Sequence, residues 1–156
     1  RAQGGATIAE VDPLRLIAVF LAHWDNKPAN QRLICADDRT PCARPLAMLH
    51  DLGSDFGPYK VDVEGWSSTP VWTDSTSCTV SMKNLPFGGG TFADVRNSVA
   101  GRGLPATRMK QFTHTQIDTL FRTAGFTEVD SWVKAFEGKV QQIDTTRCAR
   151  DGGPSS

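Results

Sequence analysis

The sequence predicts a mostly α-helical domain that carries one small β-hairpin. Three observations lead there. Apolar residues cover nearly the whole circumference of a helix over 14–21. Two stretches in the C-terminal third, 113–124 and 127–143, repeat apolar residues at helical spacing. Two short apolar runs, 33–35 and 46–50, flank a turn-rich segment. With 156 residues the chain can bury one proper core, so a single domain is expected.

The elements follow in chain order. Residues 1–7 read as a disordered or cut N-terminus, 8–146 as the folded unit and 147–156 as a flexible tail unless Cys148 pins it. Asp12 followed by Pro13 has the signature of an N-cap and a first helical position, so the first helix is expected to open there. Leu14, Leu16, Ile17, Val19, Phe20 and Leu21 surround it, which places it in the middle of the domain. It should end in the loop 23–30, where Asn26, Pro28 and Asn30 discourage continuation. The strands 33–35 and 46–50 enclose the turn 36–41, and Asp51-Leu52-Gly53 and Asp55-Phe56-Gly57 come directly after them.

Residues 58–91 give little helix signal and read as a long, loop-rich connection with short strands at best. Its length points to a functional role. A helix is expected over 92–100, stopped by Gly101. Thr113 and Gln116 form a possible capping box before Ile117, Leu120, Phe121 and Ala124 on one face. The last helix opens within 127–130 and places Val129, Trp132, Val133, Phe136, Val140 and Ile143 on its core face.

Seventeen basic residues balance seventeen acidic ones, so no net field argues for a nucleic-acid or anionic-membrane partner. The longest apolar stretch, 14–24, is interrupted by Arg15 and His23 and falls short of the about 20 residues that span a bilayer. The first residue is Arg1, as in a processed product or a fragment, and a removed signal peptide would leave no trace. Four cysteines (Cys35, Cys42, Cys78, Cys148) fit either buried thiols or disulfides of an oxidising compartment, and Cys35 and Cys42 flank a turn. The compartment is open, with an extracytoplasmic one slightly favoured. Zinc held by Cys35, Cys42 and His50 is a further alternative, at spacings that fit no common zinc pattern.

The chemistry concentrates in residues 23–30, His-Trp-Asp-Asn-Lys-Pro-Ala-Asn. Phosphoryl transfer needs a carboxylate to orient and deprotonate a hydroxyl, a cation to steady the moving phosphoryl group and an amide oxygen to hold magnesium. Asp25, Lys27 and Asn30 supply these on one short loop. Elsewhere the evidence is thinner. His50 reads as a strand-end packing residue and His114 as a solvated one near a helix start. Trp66 and Trp72 suit core packing better than ligand stacking. Gly88, Gly89 and Gly90 suit loop flexibility better than a phosphate cradle. Lys60, Lys83, Arg96 and Arg102 are weak candidates for substrate contact.

The order of buried helix, His-x-Asp-x-Lys-Pro-x-Asn loop, strand, turn, strand and Asp-Leu-Gly resembles the C-terminal lobe of the protein kinase-like superfamily. The resemblance covers roughly residues 8–57, about a third of the chain. It implies a kinase-like lobe over 8–146, with ATP and Mg2+ as cofactors. Asp25 would be the catalytic base, Lys27 a catalytic contact to the transferred phosphate, and Asn30 and Asp51 the metal ligands, with Asp51 the principal one. His23 would anchor the loop against the Asp-Leu-Gly turn. Asp55 is the alternative metal ligand; Asp51 is preferred because a strand directly precedes it. The spacing Asp-x-Gly-x-x-Phe-Gly over 51–57 also looks like the metal-binding segment of divergent secretory-pathway kinases, which contain disulfides.

The chain departs from the pattern in three places. The interval from Asn30 to Asp51 is longer than in ordinary protein kinases, no Ala-Pro-Glu motif follows, and no glycine-rich loop precedes Asp25. The expectation is thus the C-terminal lobe of an atypical phosphotransferase acting on a hydroxyl of a protein, lipid or small molecule, inactive without a missing N-terminal lobe. The alternatives are a catalytically dead kinase-like scaffold and a small disulfide-stabilised secreted helical domain.

Overall fold

The apolar run at 14–21 forms the C-terminal half of the first helix. The structure is a computed structural model that describes residues 8–23, 25–36, 45–53, 55–57, 61–82, 92 and 94–148. In chain order the elements are α1 (Ile8–Leu21), β1 (Gln31–Cys35), β2 (Pro45–Leu49), α2 (Val63–Ser68), β3 (Thr79–Val80), β4 (Val95–Arg96), α3 (Val99–Met109), α4 (His114–Thr123) and α5 (Val129–Thr145), with a 3-10 turn at Pro28–Asn30. The architecture is mostly α-helical. It carries the expected antiparallel hairpin β1–β2 and a second two-stranded antiparallel sheet, β3–β4.

Three residues expected to bound helices, Asp12, Pro13 and Gly101, lie inside them, where α1 meets the start of α3. α1 opens at Ile8, so Asp12 and Pro13 sit in its second turn rather than at its cap. The Asp12 carboxylate accepts from the Ser98 backbone N–H (2.8 Å), and the Asp12 carbonyl accepts from Asn97 Nδ2 (2.9 Å). Asp12 thus ties α1 to the start of α3, a tertiary bond that overrides the local cap signal. Gly101, expected to stop a helix, lies within α3 because the two helices meet there. A Cβ at Gly101 would stand 2.3 Å from Asp12 Cβ. The helix expected over 92–100 is replaced by β4, and Ser98 caps α3 by accepting from Gly101 N (3.0 Å).

α2 is a helix within the stretch read as loop. Asp62 caps it by accepting from Glu64 N (3.1 Å). Six residues give less than two turns, too few for an apolar period to show. Trp66, on α2, is completely buried and donates from Nε1 to the Phe20 carbonyl at 2.6 Å. Trp72 is also buried and donates to the Gln142 carbonyl (3.2 Å). Both tryptophans therefore pack the core. Gly88 to Gly90, Lys60, Lys83 and Cys42 lie outside the described residues.

α5 is the central post of the domain. Its expected core residues Val129, Trp132, Val133, Phe136, Val140 and Ile143 are all buried, and α2, α3 and α4 pack against it. α4 has the expected capping box between Thr113 and Gln116. Only Ile117 and Phe121 of its predicted face are buried; Leu120 and Ala124 are exposed, a narrower stripe than the sequence suggested.

Cys78 is joined to Cys148 by a disulfide with a Cα–Cα distance of 5.4 Å. Cys35 is disulfide-bonded too. This removes the reading of four buried thiols, and it removes the zinc alternative, since a sulfur in a disulfide is no thiolate ligand. It also pins the chain at Cys148, within the tail that begins at Arg147. Arg102, a candidate substrate contact, donates to the Thr146 carbonyl and lies 3.2 Å from Cys148 Sγ, which gives it a structural place. Among the described residues no helix is long and apolar enough to cross a membrane.

Candidate active site

The loop 23–30 starts from an unusually firm helix end. The Ala22 N–H donates to the Val19 carbonyl (3.0 Å) and the His23 N–H to the Ala18 carbonyl (2.9 Å). This is the paired closure of a Schellman motif, with Ala22 in the left-handed conformation at φ 52°. Left-handed backbone costs a non-glycine residue roughly 1–2 kcal/mol, so packing must hold it. Ala22 and His23 are both buried, which supplies that packing.

His23 Nδ1 is hydrogen-bonded to Asp55 Oδ1 at 2.8 Å, between two side chains that are each almost fully buried. The sequence reading placed the His23 anchor at the Asp-Leu-Gly turn; the partner lies beyond it, at Asp55. The reason is Phe56, which sits at φ 65° with its ring in the aromatic core. Trp66 (5.1 Å), Phe126 (5.9 Å), Phe121 (6.0 Å) and Trp132 (6.0 Å) surround that ring edge-on. The Phe56 N–H also donates to the Leu21 carbonyl at 2.7 Å. The segment 55–57 is thereby fastened to the end of α1, and Asp55 is turned inward onto His23.

Burial raises the Asp55 pKa above its ordinary 3.8, the His23 hydrogen bond and charge opposing this and the Asp51 charge adding to it. A raised native pKa means that the folded state binds more protons than the unfolded state between 3.8 and the raised value. The stability contributed by this group is therefore present below 3.8 and lost as pH rises through the raised value. We expect Asp55→Asn, which retains an oxygen for His23, to remove that falling component. Urea unfolding from pH 3 to 7 checks it: the stability difference, wild type minus variant, should decline with pH. A difference that is flat or rising would contradict the assignment.

Asp25 is gripped from two sides. Lys27 Nζ lies 2.9 Å from both carboxylate oxygens. Asn30 Nδ2 donates to the Asp25 carbonyl and to Oδ2, both at 2.9 Å. Two acceptors facing one amide group fix its orientation, because the flipped amide would set oxygen against oxygen. The nitrogen of Asn30 is committed to Asp25, and its oxygen, the ligating atom of an amide, is turned away. The loop backbone closes through Lys27 N–H to the Asp25 carbonyl and Asn30 N–H to the Lys27 carbonyl, each 2.8 Å.

The hairpin brings the second half of the candidate site alongside. Gln31 pairs with Leu49, and the His50 N–H donates to the Asn30 carbonyl at 2.8 Å. Asn30 thus lies opposite His50, one residue before Asp51. Asp51 is exposed and left-handed at φ 61°. Backbone outliers of this kind concentrate at functional sites. His50 is exposed at the strand end, and His114 is exposed and paired with Glu137 at 2.9 Å.

The 23–30 loop therefore holds Asp25, Lys27 and Asn30 in mutual contact, the hairpin brings His50, the residue before Asp51, alongside Asn30, and Asp55 is buried against His23. Among the described residues no three of His, Cys, Asp and Glu gather into a metal site by themselves. No protein-family model, curated protein or solved structure matches the chain. The functional reading accordingly rests on the side chains themselves.

Proposed function

We propose that the chain is the C-terminal lobe of an atypical kinase-like phosphotransferase that uses ATP and Mg2+ to phosphorylate a hydroxyl. The observation that carries this reading is the Asn30 amide, whose nitrogen is spent on Asp25 so that its oxygen is the atom left to ligate, while the His50 N–H bond to the Asn30 carbonyl brings the residue before Asp51 alongside. An amide oxygen and a carboxylate are hard ligands of the kind magnesium takes, with water and phosphate oxygens completing its octahedron. The residues present fit the ion. Magnesium, when bound, neutralises charge on the transferred phosphoryl group.

The chain's own residues divide the remaining work. Asp25 receives the hydroxyl proton, and its two tethers hold the carboxylate in one orientation. Lys27 pairs with Asp25 and, being half-exposed on a long stem, can reach a phosphate from the same position. The His23–Asp55 bond keeps the loop in register with the segment that carries Asp51. Asp55 is a poorer metal ligand than Asp51, because its carboxylate is buried and used by His23. The disulfides support an extracytoplasmic location for the protein.

The test is Mn2+ titrated with a non-hydrolysable ATP analogue, followed by paramagnetic broadening of backbone amides. Broadening is expected at Asn30, Gln31, Asp51 and Leu52. Asp51→Asn keeps a residue that tolerates positive φ, so the backbone is retained while a ligand charge is lost. It should weaken the metal by roughly 100-fold, the upper end of what losing even an outer-shell partner costs. Broadening centred elsewhere, or an unchanged affinity in the variant, would overturn the proposal.

A further inference from the structure

Where two helices pack, apolar ridges normally fill the space between them. The face of α5 turned toward α2 instead presents Ser131, Lys134, Gly138 and Lys139, opposite Glu64 and Ser67. They line a groove of about 490 Å³, within the usual size range of small-molecule sites. Gly138 has nothing within 4 Å of where its Cβ would be, so the missing side chain is what leaves the groove open.

Lys139 is the residue that asks for an explanation. It is 2 % exposed, its Nζ donates to the Thr69 carbonyl at the end of α2, and it lies 5.4 Å from the Trp66 ring centre. A carbonyl and a π face stabilise an ammonium in part, but no carboxylate pairs with Lys139 among the described residues. Buried charges are ordinarily paired.

We propose that the groove between α2 and α5 binds a small oxyanion, with Lys139 as the charge at its base and Lys134, Ser67 and Ser131 as further donors. Two lysines against the single carboxylate of Glu64 leave the lining net positive, and hydroxyl and ammonium groups donate to oxyanions. Burial lowers the Lys139 pKa to about 8, so the amine is partly neutral in the free protein and an arriving anion favours its protonation. The proposal is independent of the phosphotransfer reading, since none of its residues belongs to the 23–30 loop or the 50–57 segment.

The experiment is isothermal titration of the full chain at pH 8.5, with inorganic phosphate in one arm and malonate in the other. Two buffers of different ionisation enthalpy report proton uptake. Saturable one-to-one binding of either anion is expected, and the tighter one identifies the ligand class. Malonate does not titrate at this pH, so proton uptake in that arm belongs to the protein. Lys139→Met should lose the uptake and roughly tenfold or more in affinity, the weight of a charged hydrogen bond. Gly138→Leu sets its Cβ in open space and its longer side chain toward the groove, and it improves helix propensity, so it should fold and fail to bind. Absence of saturation in wild type, binding without proton uptake, or wild-type affinity in Gly138→Leu would overturn the proposal.

Discussion

Asp25→Asn should lower phosphotransfer by roughly 10²- to 10⁴-fold in kcat, the range that a positioned general base contributes, with the substrate KM little changed. The asparagine has nearly the shape of the aspartate and keeps one oxygen, so it can still accept from Asn30 Nδ2, now 2.9 Å from Asp25 Oδ2. What it loses is basicity. Its amide would also face the Lys27 ammonium, which at present lies 2.9 Å from both carboxylate oxygens. Two donors then confront each other, and Lys27 is released toward solvent. Ground-state binding of nucleotide and hydroxyl depends on other groups, which is why the loss should fall on kcat and not on KM. The measurement is phosphate transfer from ATP by the full-length protein, wild type against variant. Full activity in Asp25→Asn would refute the proposed mechanism, whatever the metal experiment gives.

The contacts within the 23–30 loop follow from the sequence because the partners are local. Asp25, Lys27 and Asn30 lie within six residues, and a 3-10 turn is enough to bring the asparagine amide back to the aspartate. The position of Asp51 near that loop follows for a related reason: an antiparallel hairpin returns the chain to its starting point. The partner of His23 was not legible. Choosing Asp55 over Asp51 requires knowing that Phe56 is held among Trp66, Phe121, Phe126 and Trp132, residues 10 to 76 positions further along the chain. Non-local packing of that kind leaves no periodic trace.

The same distinction separates the helices. α4 and α5 announce themselves by a capping box and by several turns of regular spacing. Asp12, Pro13 and Gly101 carry strong local signals, and each was read as punctuation. The roles of Asp12 and Gly101 are tertiary. Asp12 binds the N-terminus of α3, and Gly101 is small because α1 passes directly over it. Propensity describes what a residue prefers alone, and here the contact between two helices outweighs it.

Removing the Cys78–Cys148 disulfide should destabilise the protein by about 4 kcal/mol, from the loop entropy of a 70-residue separation. For a chain of this size that corresponds to a Tm lower by roughly 8–16 °C. The structure argues for an effect near the full value. The bridge joins the β3 end to the segment just past α5, and β3 and β4 are two residues each, too short to hold themselves by pairing. Arg102 would keep the Thr146 carbonyl but lose its contact with Cys148. The clean variant is Cys78→Ala with Cys148→Ala, because reductant would also open the disulfide at Cys35. Urea unfolding should show a lower midpoint together with a larger m-value, since the unlinked unfolded chain exposes more surface. A double variant within about 1 kcal/mol of wild type, the typical cost of an ordinary point substitution, would mean that packing on α5 already holds this end of the fold without the bridge.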